Sequence, residues 1–227
     1  MEIIGSMQGL MDLVRLQVAN LYRLPDDEKT LLPSAIEYAL SRCETCFTSI
    51  HNKYYRNANG IVVFNPLHSA QYCIFLYYLA NTLGCEMQAP ALATKLYCLN
   101  KALNAVDIYY EVQLPERFIV EHPVGSVLGR ARYSNYLVLQ QGCTVGGNQG
   151  AYPVLGEYVW LHAQAMVVGN CRIGNNVFVA AGTYIKDCDV PDNTIVFGRS
   201  PDLVFKAREP EYFLARSVFR NHRRDID

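Results

Sequence analysis

The chain has 227 residues, 51% of them apolar, and a formal net charge of −1, enough material for one large or two small domains with a substantial core. The near-balance of charge points away from nucleic acid and from anionic membrane surfaces as partners. The start, MEIIGSMQGLMDLVRL, lacks the basic-then-apolar order of a secretory signal. The longest apolar run, nine residues at 72–80, is about half of what a membrane span needs, so the expectation is a cytoplasmic protein with no membrane span.

Residues 1–105 read as a helical domain. Residues 7–21 carry Leu10, Val14, Val18 and Leu21 on one face. A second helix is expected from Ser34 to about residue 50, because Ser34 follows Pro33 and stands three residues before Glu37, the spacing of a capping box. The cluster Asn57-Ala58-Asn59-Gly60 marks a turn. A third helix, residues 67–83, is apolar or aromatic almost all round and stops at Gly84, which implies burial in this domain or against another subunit. A fourth covers about 89–105. The helical part reads as a packing and oligomerisation module. Eight cysteines follow no framework pattern and are read as reduced thiols. Cys43-Glu44-Thr45-Cys46 has CxxC spacing without a second pair, and no structural metal is expected there.

From Val106 a six-residue rhythm sets in, first imperfectly at Leu114 and Val120, then at Val127, Tyr133, Leu139 and Val145. It breaks across residues 146–154 and resumes as LGEYVW, LHAQAM, VVGNCR, IGNNVF, VAAGTY and IKDCDV. Each of these six blocks opens on an aliphatic: Leu155, Leu161, Val167, Ile173, Val179 and Ile185. Four positions later stand Val159, Ala165, Cys171, Val177 and Thr183. A period of six fits neither helix nor ordinary sheet, and it is the signature of a parallel β-helix with three short faces per coil of eighteen residues. The stack ends near Gly198-Arg199-Ser200-Pro201, and residues 209–220 look like a short terminal helix. The fold class is therefore α+β: a helical domain (1–105), a parallel β-helix (106–205) and a C-terminal tail helix (206–227).

His122 is the candidate base, since a histidine near neutral pH is mostly free to take a hydroxyl proton. Asp107, fifteen residues earlier and so about one coil back, is placed to fix its tautomer and orientation. Two glycines, Gly146 and Gly147, open the loop that interrupts the repeat, and such loops are where binding residues concentrate. A zinc enzyme of the γ-carbonic anhydrase type shares the architecture, but only His122 and His162 fall within the helix where three ligands are needed. A non-catalytic scaffold is the other reading.

Val106-Asp107-Ile108, followed by Glu121-His122-Pro123-Val124-Gly125, resembles the serine O-acetyltransferase pattern. So do Gln141-Gly142-Cys143-Thr144-Val145-Gly146-Gly147, the segment 156–170 and Val190-Pro191-Asp192-Asn193-Thr194. The likeness covers residues 106–205, with an echo at Leu67-His68-Ser69-Ala70. It implies a left-handed β-helix, homotrimers or dimers of such trimers, and acetyl-CoA in the groove between subunits. It also implies an Asp107–His122 dyad that deprotonates an acceptor hydroxyl, with Glu121 lining the acceptor pocket. Gly146, Gly147, Ala163, Ala181 and Gly182 would flank the pantetheine arm. Arg199 and Lys206 would meet the phosphates or stand as solvated tail cations.

The family's charged acceptor contacts are replaced here. His51 stands where it has an acidic residue, Ala151-Tyr152-Pro153-Val154 where it has R-H-P-K, and Arg130 near its G-E-T glutamate. Because a zwitterion needs its charges paired, the acceptor is expected to be a sugar of a surface polysaccharide or its precursor, with serine as the alternative. Tyr152 and Trp160 would then offer faces to a sugar ring, or else pack onto the next subunit. The ending Asp227 replaces the isoleucine of serine enzymes that dock on cysteine synthase, so that partnership is not expected.

Overall fold

The structure, a computed structural model, describes residues 1–219. Helix α1 (Met7–Leu21) has the expected bounds. The Ser6 hydroxyl accepts from the Gly9 N–H at 3.0 Å, and Leu10, Val14 and Val18 are buried. Helix α2 (Asp26–Thr48) starts eight residues before the expected Ser34 and carries Pro33 in its interior. Ser34 caps nothing; its hydroxyl donates back to the Leu31 carbonyl. Three acidic residues, Asp26, Asp27 and Glu28, occupy the first turn, where they complement the helix dipole, and Glu28 pairs with Lys95 at 2.5 Å.

Helix α3 (Ser69–Asn81) is buried at every residue from Ala70 to Asn81, as its all-round apolarity demands. It does not stop at Gly84. The chain continues through a π turn, Thr82–Glu86, in which a Cβ on Gly84 would strike the Tyr110 ring. Helix α4 (Pro90–Asn104) ends on Ala105 in the left-handed conformation.

Polar side chains of α3 tie the helices to the segment that leads into the solenoid. The Tyr77 hydroxyl donates to the Val112 carbonyl at 2.7 Å and accepts from the Leu114 N–H at 2.9 Å. Asn81 donates to the Tyr110 carbonyl and accepts from Arg42, whose guanidinium lies 4.3 Å from the centre of the Tyr78 ring. Cys43 and Cys46 are buried free thiols, both pushed up by burial, and Cys46 donates to the Phe118 carbonyl.

After α4 the chain winds into a parallel β-solenoid. One face stacks Asp107–Ile108, Val127–Leu128, Thr144–Gly146, Met166–Val168 and Tyr184–Lys186. A second stacks Phe118–Val120, Leu137–Leu139, Val159–Leu161, Val177–Val179 and the start of Thr194–Arg199. The third holds Arg132–Tyr133, Val154–Leu155 and Arg172–Ile173, extended by a bridge from Ile173 to Val190. Val167 pairs with Ile185 eighteen residues on, and Val145 with Val167 twenty-two on, so the four extra residues belong to the loop after Gly146.

The aliphatics that open the six blocks all point inward and are buried, as are Val159, Ala165, Cys171, Val177 and Thr183 at the corners. The stack closes with an antiparallel hairpin, Thr194–Arg199 against Asp202–Ala207, so the strand runs past residue 205 and the expected tail boundary falls inside it. Such a hairpin caps the last coil with a strand that cannot accept another coil in parallel register. The terminal helix is one short turn, α5 (Pro210–Leu214), rather than 209–220; Arg220 lies outside the described residues.

The tail then runs back over the second face. Phe213 packs edge-on against Phe178, Phe219 against Tyr136, and the His51 N–H donates to the Val218 carbonyl. Helical and solenoid apolar side chains form one continuous core. Among the described residues no helix is long and apolar enough to cross a membrane. Leu161 is 0% exposed in the middle of the stack, so Leu161→Ala should cost about 2–5 kcal/mol, read as a lowered urea midpoint with the slope unchanged.

Candidate active site

Parallel stacking at constant register converts sequence spacing into columns. Glu121, Gln140, His162 and Ala180 donate their backbone N–H groups to the carbonyls of Leu139, Leu161, Val179 and Val196, each one coil further on. They are therefore one column, and the residues that follow them, His122, Gln141, Ala163 and Ala181, form the next at the same corner. His122 takes a left-handed backbone with φ of 51°, which turns the chain out of the second face. Its side chain is exposed and makes no hydrogen bond among the described residues.

His68 lies within electrostatic range of His122. Its Nδ1 caps α3 by accepting from the Gln71 N–H, and its ring packs on Tyr54 and Tyr55. Burial, with a smaller push from His122, lowers the His68 pKa and favours the neutral imidazole that a cap acceptor requires. Tyr55 is within range of Glu121 as well, buried, and its hydroxyl has no partner among the described residues. Three of the chain's five histidines, His68, His122 and His162, thus gather with Glu121 at one corner.

Asp107 departs from the expected contact. Its Oδ1 accepts from the Tyr97 hydroxyl at 2.7 Å and its Oδ2 from Lys101 Nζ at 2.6 Å, both residues of α4. No bond joins it to His122. Only the flanking segments are joined: the Asp107 N–H donates to the Ser126 carbonyl and the Gly125 N–H to the Ala105 carbonyl. Burial favours the neutral carboxyl, but the hydrogen bonds from Lys101 and Tyr97 and the Lys101 charge outweigh it, and the Asp107 pKa is lowered.

The other expected site residues divide. Gly146 and Gly182 face open space, and Ala163 and Ala181 stack on successive coils through the bond from the Gly182 N–H to the Ala163 carbonyl. Gly147 is covered: a Cβ there would lie 2.7 Å from the Tyr152 ring, so Tyr152 folds back onto its own loop. Arg199 sits over the Tyr184 ring and Lys206 over the Phe197 ring, on the closing hairpin. His51 is exposed and is fixed only through its backbone to the tail. Arg130 is exposed on a neighbouring turn. Among the described residues no group of three or more His, Cys, Asp or Glu is placed to hold a metal ion.

Residues 152–187 match the bacterial transferase hexapeptide family, in its six-repeat form. Serine acetyltransferase from Synechococcus elongatus is 29% identical over 127 residues, which is 54% of this chain and 52% of that protein. A serine acetyltransferase structure in complex with cysteine superposes with a TM-score of 0.69 at 20% identity, covering 94% of this chain and 86% of the other. One in complex with CoA does so with a TM-score of 0.66 at 17% identity, covering 89% and 86%.

Hexapeptide repeats occupy residues 152–187, and the chain has the fold of the serine acetyltransferase structures. It spans about half the length of the curated relatives it matches. Those relatives are named serine acetyltransferases, and the sugar acceptor expected from the altered charges finds no support among them.

Sequence reasoning gave no role to Tyr97, Lys101 or Gln140, and weighed His162 only as a zinc ligand. The last two follow from stepping one coil at a time from Glu121; the first two are four apart on one face of α4. Lys101→Met should move the Asp107 titration upward, toward the ordinary carboxylate range, because the ionised form loses its charged donor; carbon-detected NMR of the Asp107 carboxyl reads the shift.

Proposed function

We propose that this chain is an acetyl-CoA-dependent O-acetyltransferase whose acceptor is L-serine, with His122 as general base. The observation that carries the reading is the corner itself. An exposed histidine with a free imidazole stands beside Glu121, on the column that continues as Gln141, Ala163 and Ala181. In the reaction His122 takes the proton of the serine hydroxyl while that oxygen attacks the thioester carbonyl. The carbon–sulfur bond breaks, and the leaving thiolate receives the proton back from the imidazolium. A base of this kind contributes about 10²–10⁴-fold, and the remainder comes from holding both substrates in line.

Asp107 is the acidic member of the dyad in this reading, supported by the backbone pairing of 105–107 with 125–126. To engage the imidazole, its carboxylate must give up Tyr97 or Lys101. Acetyl-CoA would lie along the small-residue column in a groove between subunits of a trimer. Gly146, Ala163, Ala181 and Gly182 leave a flat wall for the pantetheine arm, and Gly147 becomes available where Tyr152 lifts. Arg199 and Lys206 are exposed on the hairpin and free to reach the phosphates.

Release of free CoA in the presence of L-serine tests the reading. His122→Ala should lose about 10²–10⁴ in kcat while its urea midpoint and circular dichroism stay those of the parent. Near-normal turnover in that variant would overturn the base assignment. Turnover with nucleotide sugars or oligosaccharides but not with L-serine would overturn the acceptor.

A further inference from the structure

Two residues to which the serine acetyltransferase resemblance gives no role share the Glu121 column and build on it. The Gln140 side chain is held at both ends: Nε2 donates to Glu121 Oε2 at 3.1 Å, and Oε1 accepts from the Ala163 N–H at 3.1 Å. A backbone N–H only donates, so the carbonyl end of the amide must face Ala163 and its NH₂ must face Glu121. The orientation of the amide is thereby settled by chemistry. One carboxylate oxygen of Glu121 is pinned to the coil wall, and the other, Oε1, receives no hydrogen bond from the described residues.

One coil further, the His162 ring lies flat on Trp160, with centroids 4.9 Å apart and planes at 13°, and Phe178 stands edge-on to both. Phe178 is in turn held by Phe213 of the tail, so the stack has little freedom. Burial favours the neutral imidazole, and the nearby Glu121 charge works against it.

We propose that Gln140 and His162 fit this pocket to an α-amino acid. Gln140 is the positioning residue that holds Glu121 with one oxygen free for the acceptor's ammonium, and His162 is the specificity-determining residue whose neutral form leaves that oxygen unclaimed. The proposal rests on the serine reading. An ammonium leaving water needs a charged, hydrogen-bonded partner, and Glu121 supplies it only while no protein cation competes. Once protonated, His162 is that competitor.

The groups around the pair are few. Glu121 is bonded by Gln140 and lies within electrostatic range of His162 and Tyr55, with His122 next to it in the chain; His162 packs on the untitratable Trp160 and Phe178. Burial holds the Tyr55 hydroxyl neutral throughout the relevant range. His68 acts on His122 instead, so its titration enters kcat rather than the serine KM.

Steady-state kinetics across the histidine range, about pH 5.5–8, separate these effects. In the wild-type protein the KM for L-serine should climb as pH falls through the His162 titration. His162→Phe keeps the stack, cannot protonate, and should flatten that climb. Gln140→Leu should raise the serine KM about tenfold, the scale of one charge-assisted hydrogen bond, with kcat within about twofold and the acetyl-CoA KM unmoved, which also certifies the fold.

A serine KM profile identical in wild type and His162→Phe, or a Gln140→Leu variant that loses kcat alone, overturns the inference. If wild-type protein does not acetylate L-serine, the functional reading fails first. The pairing is then judged on its own by the His162 imidazole titration in proton NMR: Glu121→Gln should move it to lower pH, and an unmoved titration overturns it.

Discussion

Everything in the solenoid depends on the parallel hydrogen-bond ladder between coils. Each coil pairs in parallel with the next, so a residue is stacked on the one seventeen to twenty places along, or twenty-two across the inserted loop. The ladder can close only if every block turns its aliphatic inward and places a compact residue at the corner, because the coil is too narrow for a bulky one. That is why Val145, Val167 and Ile185 form one buried line, and why Cys143, Ala165 and Thr183 fill the corner positions. Chemistry on such a scaffold is a matter of columns. A side chain at the corner finds its partners one coil up and one coil down, not nearby in sequence.

The helices set where the first column begins. Helix α3 is buried all round because it is packed by helices on its flanks and by the entry to the solenoid, and its polar atoms are spent on the connecting segment. Tyr77, Tyr78 and Asn81 bond the carbonyls of Val112, Glu116 and Tyr110 in succession. Leaving any of these carbonyls unpaired in the core would cost about 1–3 kcal/mol, so the path from residue 109 to 117 is firmly determined. Helix α4 does the same for Asp107. It ends on Ala105, two residues before Asp107, and brings Tyr97 and Lys101 onto the carboxylate. Helical part and site are mechanically one unit.

The parts legible in the sequence are those decided by local sterics repeated many times. The six-residue period gave the coil, its inward positions and the loop that interrupts it. What stayed hidden depends on direction and on partners from elsewhere. Spacing put Asp107 one coil from His122 but said nothing of which way its carboxylate turns, and α4 offers it two donors that no repeat encodes. Tyr152 looked like a ring offered to a ligand, yet Gly147, lacking a Cβ, is the surface it settles on. Pro33 and Ser34 looked like a helix start because a proline often is one; three carboxylates in the first turn and a buried Leu32 carry α2 through it. A local signal was outvoted by packing.

Under the proposed reading, a serine site has to work here without the charged residues that the serine acetyltransferase pattern places at these positions. At His51, Tyr152 and Arg130 the side chains are exposed or folded onto their own loop, so none is preorganised to hold a carboxylate or an ammonium. A flexible surface charge is a poor substitute in any case, since ordering a long side chain offsets most of what an exposed ion pair gains. A carboxylate pinned to the coil wall is a better one. Gln140 removes most of the freedom of Glu121 before any acceptor arrives, and the Trp160–His162–Phe178 stack fixes the neighbour that determines how strongly Glu121 attracts a cation. In the proposed site, recognition rests on a rigid column of the solenoid, where register rather than side-chain reach sets the geometry. A pocket built that way gains precision and gives up adaptability, which suits a small acceptor with one ammonium better than a long saccharide with many equivalent hydroxyls.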